Sequence, residues 1–340
     1  MSFRSTPLFA GDLYDTALRL AQEDVSKPSA AQEGAPSTNW QQMLALGWQG
    51  VLVAEDDGGV GASIQDLSAI VEAVARHGND APLVDRCAVA PVLLSAAKSH
   101  PQAAQLLSEL MTGEVSVCTA LDAGDKGPGQ LTAPWLSGQQ SLQGELFGID
   151  LSEPATHVLF RARDVASQES VLVLLNWDQF SGRVKKYTGT DGRQYADVAL
   201  TGLNLLPSNT LLTGVAASKA VSEARQMGAL MSCVQTVGAA AAMIELSIEY
   251  LNTRQQFGVA LSSFQALRHR ERQRRTTSWR VQAPSQSRTV PSRASTDSSP
   301  TSDNTALRRC LTYRRRDAGN RTACWPCRDR CCSRWCRTGM

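Results

Sequence analysis

The last seventy of the 340 residues contain no lysine, no isoleucine and no phenylalanine, and only four valines or leucines. So few apolar side chains cannot bury enough surface to offset the ordering of the backbone, so residues 271–340 read as a tail without a packed core, disordered or out of frame. Histidine and knuckle glycines are missing from the cysteine-rich stretch CWPCRDRCCSRWC, which leaves its C-x-x-C spacing without the partners of a zinc site; no metal site is expected. An apolar run long enough for a secretory signal is missing from MSFRSTPLFAGDLYD, and no export is expected. Charge is missing from Gln226 to Ile244, but Ser232, Gln235 and Thr236 interrupt that stretch and Ala and Gly dominate it, so a buried bundle helix is expected there rather than a membrane span.

What is present divides at the same place. The net charge of +2 hides a tail with sixteen Arg against five acidic residues, a balance of +11, which leaves −9 for residues 1–270. Such a tail attracts nucleic acid or anionic membrane without specificity, and no specific nucleic-acid partner is implied. Six of the nine cysteines lie between Cys310 and Cys336; Cys87, Cys118 and Cys233 are scattered singly, which suits a reducing, cytoplasmic setting.

Residues 1–114 carry helical punctuation. NWQQMLALGW has Asn39 as a candidate N-cap and Gly47 as a stop. SIQDLSAIVEAVARHG places Ile64, Leu67, Ile70, Val71 and Val74 on one face between Ser63 and Gly78. Further helices are expected over 88–98 and 101–114, the second opened by Pro101. Residues 115–212 change to short β-type runs, VSVCTAL, THVLFRA, SVLVLLN and YADVALTGLNL, separated by turn residues, as in a small antiparallel sheet domain. Helical periodicity then returns over 213–270 as one long helix over 215–253, and Ser262 with Gln265 reads as a capping box opening the next helix at Phe264. The fold class is α+β: an N-terminal helical domain, a β domain and an incomplete C-terminal bundle. The missing bundle partners leave Met231, Val234, Ile244 or Ile248 as candidates for exposure.

The order helices, β domain, long helix ending in YLNTRQQFGVALSSFQALRHR, with LALGWQGVLVAEDDGGVGASIQDLSAIVEA upstream, resembles the acyl-CoA dehydrogenase family over residues 12–270. The likeness extends to short members that form one subunit of paired dehydrogenases. It implies FAD as cofactor, an acyl-CoA thioester as substrate, α,β-dehydrogenation, a homo-oligomer or a heteromeric partner, and electron-transfer flavoprotein as acceptor. The Arg of the family's R-x-Q-F-G reaches the pyrophosphate of a FAD held mainly by the neighbouring subunit; here it is Arg254, with Phe257 and Gln265 in the same shell. A guanidinium offers planar, charge-assisted bonds to phosphate, and Gly258 lets the chain turn. The alternative is an Arg solvated at a helix end beside a packing Phe. The flavin-contacting loop corresponds to CTALDAGDKGPG, which puts its contacts on Thr119, Leu121 and Gly124, although the family's Thr-Glu-Pro is lost.

Two further departures matter. ELFGIDL aligns with the family's W-I-T/S strand, with Gly148 in place of Trp and Asp150 in place of Thr or Ser, and an ionised Asp there opposes the charge of a reduced flavin. The catalytic glutamate has no counterpart: one family position lies beyond residue 270 and the other corresponds to Gly228. Glu223, Glu245 and Glu249 nearby read as a solvated helix face. The implied function is that of the oxidoreductase lineage without a catalytic residue in this chain, or of a non-catalytic partner that lends contacts to a neighbour's FAD. Arginine, serine and cysteine richness after Arg270 reads as coding sequence out of frame, and translating the other two frames after codon 270 is expected to yield amphipathic helices; two further frames without them would refute this.

Overall fold

The computed structural model describes residues 5–25, 38–79, 81–121, 135–137 and 141–273, all within one compact unit. Gly124 and the cysteine-rich stretch lie outside the described residues. The helical layer comprises α1 (Asp12–Val25), α2 (Thr38–Ala45), α3 (Ile64–Arg76), α4 (Ala90–Ala96) and α5 (Pro101–Thr112). Ser63 caps α3 through a capping box with Asp66, and Gly78 (φ 68°) follows the helix end, as the punctuation implied. Asn39 is not a cap: α2 starts one residue earlier, and Asn39 is buried in its first turn. The helix expected from residue 88 begins earlier, because a π-helical segment, Val84–Val89, runs directly into α4.

The β layer is two sheets rather than one. The larger orders β10 (Thr210–Thr213), β6 (Ser170–Asn176), β5 (His157–Asp164), β2 (Trp135–Ser137), β3 (Ser141–Gln143) and β9 (Leu203–Asn204), with β1 (Val117–Ala120) also beside β5. The smaller orders β4 (Glu145–Asp150), β8 (Gln194–Ala199) and β7 (Val184–Thr188). Pairing is mainly antiparallel, but β1 and β2 each run parallel to β5. No helix crosses over between these parallel strands among the described residues, so this is not a doubly wound sheet. The alternation of β5 explains the layering: Val158, Phe160 and Ala162 enter the core between the sheets, with Leu146, Ile149 and Val198 opposite. Leu159, with Leu172 and Leu174 of β6, faces the helices instead.

Helix α6 (Gly214–Thr253) joins both helical cores. Ala217, Ala220, Val221 and Ala224 pack with α4, α5 and the large sheet, and Met231 and Val234 pack with α3. Met231 and Val234 are therefore buried, contrary to the sequence reading, whereas Ile244 and Ile248 are partly exposed in line with it; Val215, Leu230, Met243, Leu246 and Tyr250 are the exposed large apolar side chains of this helix. It is long and apolar enough to cross a membrane, and only 22% of its most apolar stretch is buried, so the buried bundle helix of the sequence reading is here a helix buried on one side. After α6 comes a short hairpin, β11 (Gln255–Gln256) and β12 (Val259–Ala260), and a helix over 265–273, α7. Ser262 lies inside a 3₁₀ turn, Leu261–Ser263, and does not cap α7.

A buried carboxylate locks the N-terminal segment onto this frame. Glu72, with no exposed surface, accepts the Leu8 and Phe9 N–H groups at 2.8 and 3.1 Å and pairs with Arg76 at 3.2 Å. Arg76 reaches Glu245 of α6 at 3.3 Å, and Glu245 also accepts the Ser5 N–H at 2.6 Å. Glu245 is thus a structural tie, not part of a solvated face. The contact between α3 and α6 closes at Gly238, where an added Cβ would stand 2.8 Å from the Glu72 carbonyl oxygen and 3.2 Å from the Ala75 Cβ. Gly238→Val is expected to lower stability by about 1–3 kcal/mol through overpacking, read as a fall in Tm. Thr236→Val, at an exposed position of the same helix, should stay within about 0.5 kcal/mol of the parent.

Candidate functional site

Where α6 passes the β layer it leaves a cavity of about 470 Å³. Ala224, Gly228 and Ser232 supply its helical wall at four-residue spacing, one face of α6 made of small side chains. Thr119 and Leu121, from the end of β1, form the opposite wall, Phe147 and Gly148 of β4 a third side, and Val84 and Val89 of the π-helical segment the fourth. Thus Thr119 and Leu121, predicted from sequence, meet Gly148 and Gly228 in one place. A Cβ at Gly228 would come within 2.9 Å of a Val89 methyl carbon, so a carboxylate at this helix position would have to displace Val89. Glu223 pairs with Lys219 at 3.9 Å, and neither it, Glu245 nor Glu249 lines the cavity.

Several polar groups on these walls are engaged within the chain. Thr119 donates both its N–H and its hydroxyl to the carboxylate of Asp85, the N–H at 3.1 Å. Asp85 comes from the π-helical segment and is held there by its neighbour. Arg86, 1% exposed, lies 3.7 Å from the Asp85 carboxylate and donates to the Ser116 hydroxyl and to the carbonyls of Glu153 at 3.0 Å, Pro154 at 3.3 Å and Asp150 at 3.4 Å. It thereby ties the helical layer to the β4–β5 connection. Burial pushes the Asp85 carboxyl up to about 6, although Arg86 and the two Thr119 bonds pull the other way. The Gly148 N–H donates to Asp197 at 3.0 Å, and the Leu121 carbonyl accepts from Arg225 at 2.7 Å. The Asp150 side chain turns to Arg193 at 3.3 Å and to the Ser152 N–H at 2.8 Å, and it is not among the cavity walls.

An isoalloxazine presents carbonyl oxygens and ring nitrogens along one rim and needs donors there. Among the described residues, the Thr119 and Gly148 N–H groups are bonded to Asp85 and Asp197 and are not open to a flavin, and no chemical step is derived through one. Neither sequence signal pointed to Asp85 and Arg86, although an acid–base pair inside the apolar run PLVDRCAVAPVLL was legible. Cys87 and Cys118 are buried and Cys233 is exposed, all three free, and no metal-binding group of side chains exists among the described residues.

The second set of predicted residues lies elsewhere. Arg254 ends α6 as its C-cap, its N–H bonded to the Tyr250 carbonyl at 2.9 Å and its own carbonyl accepting from Leu261 at 2.8 Å. Phe257 and Gly258 form the two-residue tip of the β11–β12 hairpin, both with positive φ (54° and 77°), the pattern of a type I′ turn. Phe257 is 90% exposed and meets Phe264 edge to face at 6.4 Å. Arg254 and Gln265 are exposed as well. From Gly228 to Arg254 a helix rises about 39 Å at 1.5 Å per residue. The chain therefore has two separate clusters, the cavity and an exposed hairpin.

The raised Asp85 carboxyl makes stability depend on pH. The folded state holds this proton more tightly than the unfolded one, so the contribution is full below about pH 4 and lost as pH rises through about 6. The stability of the parent minus that of Asp85→Asn, from denaturant melts, should fall between pH 4 and 7. A pH-independent difference would contradict the burial of this group.

Comparison with known proteins bears on both clusters. Residues 11–114 match the acyl-CoA dehydrogenase N-terminal domain and residues 218–276 the acyl-CoA dehydrogenase C-terminal domain. Acyl-CoA dehydrogenase FadE34 of Mycobacterium tuberculosis is 28% identical over 240 residues, 68% of this chain and 29% of that protein. Acyl-CoA dehydrogenase FadE28 of the same organism is 23% identical over 229 residues, 67% of this chain and 64% of that protein. The chain thus spans less than two thirds of either relative. Among solved structures, a glutaryl-CoA dehydrogenase from Mycobacterium smegmatis in complex with FADH2 superposes with a TM-score of 0.66 at 18% identity, covering 81% of this chain and 74% of that one. The ChsE4–ChsE5 complex from Mycobacterium tuberculosis gives a TM-score of 0.61 at 18% identity, covering 84% and 80%. The shared fold is N-terminal helices, a β domain and a long C-terminal helix, in a family that uses FAD. The chain belongs to the acyl-CoA dehydrogenase family, and matches the C-terminal domain of that family only in part.

Proposed function

We propose that this chain acts as a non-catalytic subunit of a cytoplasmic acyl-CoA dehydrogenase assembly, lending Arg254 to the FAD diphosphate of a neighbouring subunit. The observation that carries this reading is the separation of the two clusters. Arg254 stands exposed on a hairpin about 39 Å along α6 from the cavity, beyond what one ligand touching both within this chain would span. In support, the cavity walls carry no carboxylate among the described residues, Gly228 stands at one family position of the base, and the Thr119 and Gly148 N–H groups are bonded to Asp85 and Asp197.

In this role the chain's residues bind and orient. Arg254 offers a planar guanidinium to a phosphate oxygen pair, the hairpin behind it fixes where that guanidinium starts from, and the ring of Phe257 covers apolar surface beside it. Proton abstraction next to the thioester belongs to the partner, as does electron delivery to electron-transfer flavoprotein. The exposed Leu230, Met243, Leu246 and Tyr250 of α6 suit a helix of another subunit better than water.

Purified alone, the chain is expected to show no dye-linked oxidation of acyl-CoA, since a general base is typically worth about 10²–10⁴ in rate. Co-expressed with an intact dehydrogenase subunit, it should form a complex whose FAD content falls on Arg254→Ala, with affinity weakened at least about tenfold, as expected for truncating a paired charge. Turnover by the single chain would overturn the proposal, and so would unchanged FAD retention in the Arg254→Ala complex.

A further inference from the structure

The last buried residue of α6 is Ala241, yet the helix continues to Thr253. Twelve residues therefore overhang the core, about 18 Å of helix at 1.5 Å per residue, before the hairpin that carries Arg254. Leverage makes this overhang sensitive. A tilt of about 10° at Ala241 would carry the Arg254 end sideways by about 3 Å, whereas hydrogen-bond lengths spread over only about 0.5 Å.

Among the described residues, Glu245 is the one side chain of the overhang that hydrogen-bonds outside α6 and its hairpin. It sits one turn past Ala241, and its partners arrive from two directions. Arg76, in the last turn of α3, donates to it at 3.3 Å. Ser5 donates both its N–H, at 2.6 Å, and its hydroxyl, at 2.5 Å. The other end of the same N-terminal segment is anchored on α3, where Glu72 accepts the Leu8 and Phe9 N–H groups. Arg76 holds the middle, donating to the carbonyls of Ser5 at 3.2 Å and Thr6 at 3.4 Å. Residues 5–9 thus form a strap from α3 to α6. Two carboxylates share one guanidinium beneath it, and the N–H groups of the strap supply the remaining donors. The Arg76 and Glu72 side chains are 9% and 0% exposed, so salt screens this cluster less than it would a surface pair.

We propose that the strap and the Glu72–Arg76–Glu245 cluster position Arg254, holding the overhang of α6 at one angle so that the guanidinium at its end meets a diphosphate from a fixed starting point. This rests on the role of Arg254 given above and adds the residues through which the core of the chain reaches it. None of them touches the ligand; each acts through Arg254.

Glu245→Ala tests this with little risk to the fold: alanine keeps the helix propensity, and Arg76 stays paired with Glu72 at 3.2 Å, so no buried charge is stranded. In the full chain, amide hydrogen exchange over residues 246–253 is expected to quicken at least about threefold while residues 217–234 keep their protection. In the complex with an intact dehydrogenase subunit, the Kd for FAD is expected to rise at least about threefold. Adding Glu245→Ala to Arg254→Ala should cost nothing further, because an effect exerted through Arg254 disappears with it. Glu249→Ala, which removes an exposed carboxylate one turn further on, should change neither readout. Additive losses in the double variant, unchanged exchange over 246–253, or an equal effect of Glu249→Ala would each overturn the proposal. So would FAD weakened by Arg254→Ala but not by Glu245→Ala, a result that leaves the role of Arg254 standing. FAD unchanged by Arg254→Ala itself overturns that role, and the positioning claim falls with it.

Discussion

The described fold depends on how closely the backbone of α6 approaches its neighbours. At Gly238 the helix lies against the Glu72 carbonyl of α3, and at Gly228 it lies against Val89 of the π-helical segment. A side chain at Gly238 would meet the backbone of α3, whereas one at Gly228 would meet only a methyl group of the Val89 side chain. From this contact follow the joining of the two helical cores, the position of the large sheet under the first half of α6, and the gap between that sheet and the helix where the cavity forms. Interiors are packed to near crystalline density, so a spine held by backbone contact fixes what surrounds it more firmly than one held by long side chains.

Around that spine, charge is used as a fastener. Arg86 gathers three carbonyls and a hydroxyl from the β layer, and Glu72 gathers two N–H groups and a guanidinium from the N-terminal segment and α3. Each satisfies groups that would be costly to bury unpaired, and each joins segments far apart in sequence. The same economy explains why the cavity wall offers so little to a ring ligand: Thr119 has been recruited to steady Asp85.

Local signals were legible in the sequence, and non-local ones were not. Ser63 and Gly78 bracket α3, Pro101 opens α5, and the long helix appears within a residue of its expected start, because caps and periodicity act over a few residues. The π-helical segment escaped because a wider turn breaks the 3.6-residue template on which the reading rested. Met231 and Val234 were named as candidates for exposure because bundle partners are missing, but α3, far away in sequence, covers them. Thr119 and Leu121 do reach the cavity, but the partner that occupies Thr119 comes from 34 residues upstream. Nothing within the loop itself announces it.

The turn that follows Arg254 carries a thermodynamic implication. Phe257 holds a left-handed backbone conformation that costs a bulky L-residue of the order of 1–2 kcal/mol, and its ring lies almost wholly in water. The folded chain gains little from such an arrangement in isolation. Its worth lies in association: a two-residue hairpin has already surrendered its conformational freedom, so a partner docking on it has less ordering entropy left to overcome. The energy spent in shaping this tip during folding is returned at the moment of assembly.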